Sequence, residues 1–165
     1  MMNDFLNALA QMIEQYGSMR GFMESVRERH HPTGKLTALE AVEAITTWFA
    51  THGSIGVIPK DTSSSCKRVC MFLRWMVRDN SPVDLGLWSD IIDKRTLIIP
   101  MDTHVLQEAT KLGLITSKST SMAAALRLSN KLLEIWHDDP IKGDFALFGA
   151  GVAEEDENLK LKVKN

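Results

Sequence analysis

Apolar residues recur at intervals of three and four along most of the chain, the pattern of helices that bury one face. Phe5, Leu6, Leu9, Met12, Ile13 and Tyr16 predict an amphipathic helix from Asn3 to Tyr16, ended by Gly17. Met19, Phe22, Met23 and Val26 give a shorter helix from Ser18 to about Arg29, with His30 to Gly34 as a loop. Thr37-Ala38-Leu39-Glu40 has the Thr-x-x-Glu form of a capping box and opens a helix through Val42, Ile45, Trp48 and Phe49 that stops near Gly53. After a Gly, Pro and Ser-rich connection, Val69, Phe72, Leu73, Trp75 and Met76 predict a helix from about Ser65 to Arg78. Ser81-Pro82 is read as the start of another helical turn through Leu85, Leu87 and Trp88, because Pro at a first helical position loses no hydrogen bond.

Asp102 is expected to N-cap a helix reaching Leu112 and ended by Gly113, and further helices are expected from Ser119 or Ser121 to Trp136 and from Phe145 to Val152. Asn158 to Asn165 alternates Leu159, Leu161 and Val163 with lysines but has no partner strand, so it reads as a frayed tail. The expectation is an all-α orthogonal bundle of about eight helices, forming a single helical domain over residues 1–152 with a polar C-terminal tail at 153–165. The four tryptophans, Trp48, Trp75, Trp88 and Trp136, and Phe148 read as core anchors.

Composition fits this picture, since 165 residues with 44% hydrophobic content can bury one real core. A formal net charge of −2 argues against a general nucleic-acid coat, but the charge is unevenly spread. Lys60, Lys67, Arg68, Arg74 and Arg78 cluster between Val57 and Arg78 against the single anion Asp61, whereas Glu154 to Glu157 is acidic. Such a patch is either a phosphate-binding surface or an ordinary solvated helix face. Cys66 and Cys70 match no zinc or iron–sulfur spacing and fit reduced thiols. With no secretory leader and no apolar run approaching the roughly 18 residues of a membrane span, a cytoplasmic protein is expected.

Lys67 and Asp102 stand out because each opens a predicted helix. In a first turn the positive end of the helix dipole disfavours an ammonium and favours a carboxylate. An amine so placed could attack a sugar C1′ and form a Schiff base, while the carboxylate stabilises developing positive charge and assists proton transfer. Taken singly, each has an everyday explanation: a surface charge for Lys67 and an N-cap for Asp102.

The surrounding residues tip this balance. Met101-Asp102-Thr103-His104-Val105-Leu106-Gln107 and the trailing Lys111-Leu112-Gly113-Leu114 resemble the helix-hairpin-helix DNA glycosylase superfamily, which includes endonuclease III and the archaeal 8-oxoguanine enzyme. The resemblance implies an orthogonal bundle of that type, Lys67 as nucleophile, Asp102 as its carboxylate partner, double-stranded DNA as the partner molecule, and an oxidised purine such as 8-oxoguanine as the base removed. It also implies a base pocket containing Asp144 and Phe145, and DNA-backbone contacts from Lys60, Ser64, Ser65, Arg68 and Arg74. Two features depart from the superfamily pattern. Ser63-Ser64-Ser65-Cys66 stands where Gly-x-Gly usually precedes the lysine, leaving serine hydroxyls as the candidate phosphate donors, and the four-cysteine iron–sulfur loop is missing. No metal, iron–sulfur cluster or other cofactor is therefore expected.

Ser65 to Arg68, Met71 to Arg78, Val83 to Trp88 and Asp144 to Gly149 are more closely similar to an uncharacterised bacterial family, a domain of unknown function. That resemblance covers most of residues 50–152, the first fifty fitting more loosely, and it implies a fragment or a member short at its N-terminus. Two other readings compete: a catalytically silent DNA-binding or scaffolding module, and a metal-dependent helical phosphohydrolase suggested by His137-Asp138 together with His104.

Overall fold

The computed structural model describes residues 1–54 and 56–163, with side chains to Gly151 and at Ala153. Seven α-helices lie along them: α1 (Met2–Tyr16), α2 (Met19–His30), α3 (Ala38–Thr51), α4 (Lys67–Val77), α5 (Thr103–Lys111), α6 (Met122–Ile135) and α7 (Lys142–Val163), with a 3₁₀ turn at Lys94–Thr96. Among the described residues there is no strand, only isolated bridges between Leu36 and Ile92 and between Ser64 and Ser121.

Local chemistry sets the helix ends. Gly17 takes a left-handed φ of 76° and its N–H closes α1 on the Ile13 carbonyl, a conformation that costs glycine little. At α3 the full capping box forms: the Thr37 hydroxyl accepts from the Glu40 N–H, and the Glu40 carboxylate accepts from the Thr37 N–H. Ser18 and Ser121 cap α2 and α6 with one bond each, their hydroxyls accepting from the Gly21 and Ala124 N–H groups.

α1, α2 and α3 pack on Ala8, Met12, Phe22, Met23, Ile45 and Phe49, and the buried Trp48 indole donates to the Ala8 carbonyl at 3.0 Å. The run Leu97, Ile98, Ile99 and Met101 is almost wholly buried. Its Ile99 N–H donates to the Ser129 hydroxyl of α6 at 2.9 Å, which satisfies a backbone donor that burial would otherwise strand. This fixed run delivers Asp102 to the surface.

Three expectations are corrected. Ser81 to Trp88 is not a helix: the Ser81 hydroxyl and Asp84 carboxylate turn inward to Arg78, and the Leu85 and Gly86 N–H groups donate to the Trp75 carbonyl. Val83, Leu85 and Leu87 consequently face solvent while Trp88 is buried. Trp75 and Phe148 are exposed rather than core residues. The segment read as a frayed tail continues α7 to Val163, while Lys164 and Asn165 lie outside the described residues.

Candidate active site

Ser65 holds the start of α4 against the start of α5. Its buried hydroxyl donates to the Met101 carbonyl at 3.0 Å and its N–H to the Thr120 carbonyl at 3.3 Å. Cys66 follows with φ 48° and ψ 41°, the left-handed region that side chains normally avoid and glycine enters freely. The chain then turns directly into α4, so that Lys67 leads the helix.

Across the gap the Lys67 ammonium donates from Nζ to Asp102 Oδ2 at 2.6 Å. The other carboxylate oxygen, Oδ1, accepts from the Val105 N–H at 2.9 Å and caps α5. Both side chains remain reachable, 45% exposed for Lys67 and 34% for Asp102. Burial pushes the Asp102 carboxyl up, but the Lys67 hydrogen bond, the Val105 N–H and the charges of Lys67 and His104 outweigh it and hold the group below its ordinary value.

A depressed carboxyl pKa adds stability above the unfolded value near ~3.9, and that contribution disappears as pH falls through the folded one. The melting-temperature gap between the protein and Asp102→Asn, which keeps a capping oxygen, is therefore expected to be widest near neutrality and to close below about pH 4. A thermal melt series across pH checks this; a gap constant down to acid would mean that the charge plays no part.

The pair opens on a cleft of about 540 Å³, walled by residues 56–60, 64–68 and 101–103 together with Thr120. Lys60 and Arg68 line it with exposed side chains that have no hydrogen-bond or ion-pair partner among the described residues, and Ser64 lines it too. The remaining expected site residues are placed differently. Ser65 touches the cleft, but its hydroxyl is spent on the Met101 carbonyl and cannot serve a phosphate. Arg74 is largely buried, donating to Asp144 at 3.2 Å and lying 3.4 Å from Asp84 without hydrogen-bond geometry. Asp144 and Phe145 do not line the cleft: Asp144 is buried on Arg74, and the Phe145 ring carries the Arg74 and Arg78 guanidiniums at 5.2 and 5.1 Å.

Asp144 still feels the site. Burial raises its carboxyl above the ordinary value against the pull of Arg74, with Asp102 pushing the same way as burial and Lys67 opposing it. Cys66 and Cys70 are buried free thiols, the latter pushed up to about 12 by burial and by its neighbour, so neither is a poised nucleophile. No group of three or more His, Cys, Asp and Glu side chains able to hold a metal forms among the described residues, and His104 is not joined with His137 in one.

A family model described as a protein of unknown function (DUF2400) matches residues 1–153. The chain belongs to this family. No curated protein and no solved structure matched it. The DUF2400 match takes in the first fifty residues as well as the remainder. Among the described residues, no helix of this family member is long and apolar enough to cross a membrane.

One feature of the site escapes sequence reasoning, the buried cluster of Arg78, Asp84 and Asp139. Arg78 donates from Nε to Asp139 at 2.7 Å and from a terminal nitrogen to Asp84 at 2.9 Å. It clamps the C-terminal end of α4, and so the helix that presents Lys67, to the connection between α6 and α7. The only signal available was Ser81-Pro82-Val83-Asp84, which has the look of a helix start.

Proposed function

We propose that this DUF2400 protein is a DNA-repair glycosylase or lyase that forms an imine between Lys67 and C1′ of a damaged nucleotide. The observation that carries the reading is the 2.6 Å contact between the Lys67 amine and the Asp102 carboxylate at a solvent-reachable cleft. Before attack the amine must release a proton, and Asp102 is placed to receive it. The lone pair then forms the C1′–N bond: a base leaves with the electron pair of its glycosidic bond and a proton and the ring C1′–O4′ bond opens to give the imine, whereas on a base-free sugar the aldehyde oxygen takes up two protons and leaves as water. Lys60 and Arg68 on the cleft wall supply cations for flanking phosphates.

The finer architecture we propose is the helix-hairpin-helix type. Its support here is the left-handed backbone at Cys66, directly before the lysine that opens α4, where the superfamily pattern has glycine. Double-stranded DNA as partner and a cytoplasmic location belong to the same proposal.

Borohydride reduction tests the reading, since it converts the imine to a permanent protein–DNA crosslink. Duplexes containing 8-oxoguanine and duplexes from which that base has been removed are the substrates. Capture on either, dependent on Lys67, is the expected result; DNA binding without capture on both would favour a silent binding module. Phosphate contacts are checked separately. Lys60→Gln and Arg68→Gln are each expected to lower the slope of log affinity against log salt by about one, because each contact releases condensed counterions. Unchanged slopes would make this face an ordinary solvated one. Nothing among the described residues favours the metal-dependent phosphohydrolase.

A further inference from the structure

We infer, resting on the reading above, that the DNA-binding face continues from the cleft over the turn between α5 and α6, where Lys118 holds a backbone phosphate beyond those flanking the attacked nucleotide. The pattern of ion pairing points there. Most lysines and arginines with described side chains are spent on a neighbour, as Arg20 is on Asp90, Lys94 on Asp79, Arg95 on Asp93, Lys131 on Glu134 and Lys142 on Asp138. Among the described residues, the cations whose side chains make neither a hydrogen bond nor an ion pair are Lys60, Arg68, Lys118 and Arg127. Lys60 and Arg68 line the cleft, and the one acid lining it, Asp102, is already taken by Lys67. Lys118 stands two residues before Thr120, another residue of the cleft wall, so the two Cα atoms are at most about 7 Å apart. Arg127 is farther off, about 9 Å along α6 from its Ser121 cap. Unneutralised positive charge gathered around a cleft is the footprint of a polyanion.

The turn that carries Lys118 is pinned. The Ser117 hydroxyl donates to the Ser119 carbonyl at 2.9 Å and accepts from the Ser119 N–H at 3.4 Å, which closes the backbone around Lys118. Just beyond, the Thr120 carbonyl accepts from the Ser65 N–H at 3.3 Å, and Ser121 forms a bridge with Ser64. Ser64 and Ser65 lead directly to Lys67, so the turn and the start of α4 are strapped into one piece. A cation on a backbone already fixed gives up less freedom on binding than one on a loose loop. Phosphate contacts set where a duplex lies and in what register. Lys60 and Arg68 hold the strand from one stretch of chain; Lys118 holds it from a second, 50 residues beyond Arg68 in sequence, and the two together fix which nucleotide sits over Lys67. The Lys118 side chain is exposed and touches neither Lys67 nor Asp102, so its removal weakens binding without disturbing the reacting pair.

The test measures affinity for a duplex containing an abasic site by fluorescence anisotropy, between about 50 and 200 mM salt, for the full chain, Lys118→Gln and Lys131→Gln. Lys131→Gln removes the same charge from α6, where the lysine is already paired with Glu134, and so reports the effect of overall charge alone. The expected result is a slope of log affinity against log salt lower by about one in Lys118→Gln and unchanged in Lys131→Gln. Borohydride capture that depends on Lys67 should be equal in all three proteins at saturating DNA, and circular dichroism verifies that the variants fold. A slope in Lys118→Gln equal to the parent's, or a fall of the same size in Lys131→Gln, overturns this inference while the imine-forming function stands on its capture. A fall in Lys118→Gln alone, with no Lys67-dependent capture by the full chain, supports the binding face and overturns the imine chemistry instead. Failure of the full chain to bind the duplex overturns both.

Discussion

Lys67→Gln is expected to abolish borohydride capture and to lower strand cleavage on the order of 10³-fold or more, because removing the atom that forms the covalent bond leaves only binding and background chemistry. The fold should hardly notice. The Lys67 side chain is 45% exposed and its partner 34%, a setting in which an ion pair contributes about 0.5 kcal/mol. For a chain of this size that is a change of about 1–2 °C in melting temperature. Glutamine also suits a helix interior nearly as well as lysine, and no side chain caps the start of α4 that the change could disturb. Measuring the two quantities on one preparation separates the readings: a surface charge would move neither, a structural tie would move stability alone, and a nucleophile moves chemistry alone. Cleavage unchanged in the variant would rule out Lys67 as the nucleophile.

The helices were legible where periodicity and capping agreed. α1, α2, α3, α5 and α6 fall within a residue or two of where the apolar spacing and the Thr37, Asp102 and Ser121 caps put them. The Lys67–Asp102 pair was legible for a related reason: each residue heads a helix, and helix heads are fixed by local signals. The buried run ending at Met101 then brings the two heads together.

What failed depended on partners far away in sequence. Ser81 to Trp88 has helix-start chemistry, but Arg78 offers Ser81 and Asp84 a buried charge to bind, and that charge is in turn anchored on Asp139 of the α6–α7 connection. Asp144 and Phe145 stand outside the cleft around Lys67 for a similar reason, since they pack on Arg74 and Arg78. At the C-terminus, a short alternation of leucine and lysine did not override a helix already started at Lys142, because extending a helix costs far less than nucleating one.

The same buried cluster carries the largest expected effect on stability. Asp84 has a fully buried carboxylate within ion-pair distance of both Arg74 and Arg78, and Arg78 and Asp139 are nearly as enclosed. Two charged groups can be tolerated out of water only while their partners remain. Replacing the pair by apolar groups of matching shape could be neutral, but removing one member strands the other. Asp84→Asn keeps the size and one acceptor oxygen while taking away the negative charge, so it isolates the electrostatic part. A loss of about 3–5 kcal/mol is expected, a large share of the ~5–15 kcal/mol that holds a domain folded. In a urea titration the midpoint should fall steeply with little change in slope, since the unfolded surface is the same. Leu85 and Gly86 would lose their fixed position against Trp75, while Arg78 would keep its bond to Asp139 at the end of α4 opposite Lys67. At temperatures where the variant remains folded, the Lys67–Asp102 contact is held by Ser65, Met101 and the cap on α5, none of which touches Asp84. Cleavage per folded molecule should therefore survive. A stability loss below about 1 kcal/mol would put this cluster on a par with an exposed surface pair, and some other contact would then have to explain why the loop turns its leucines outward and its aspartate in.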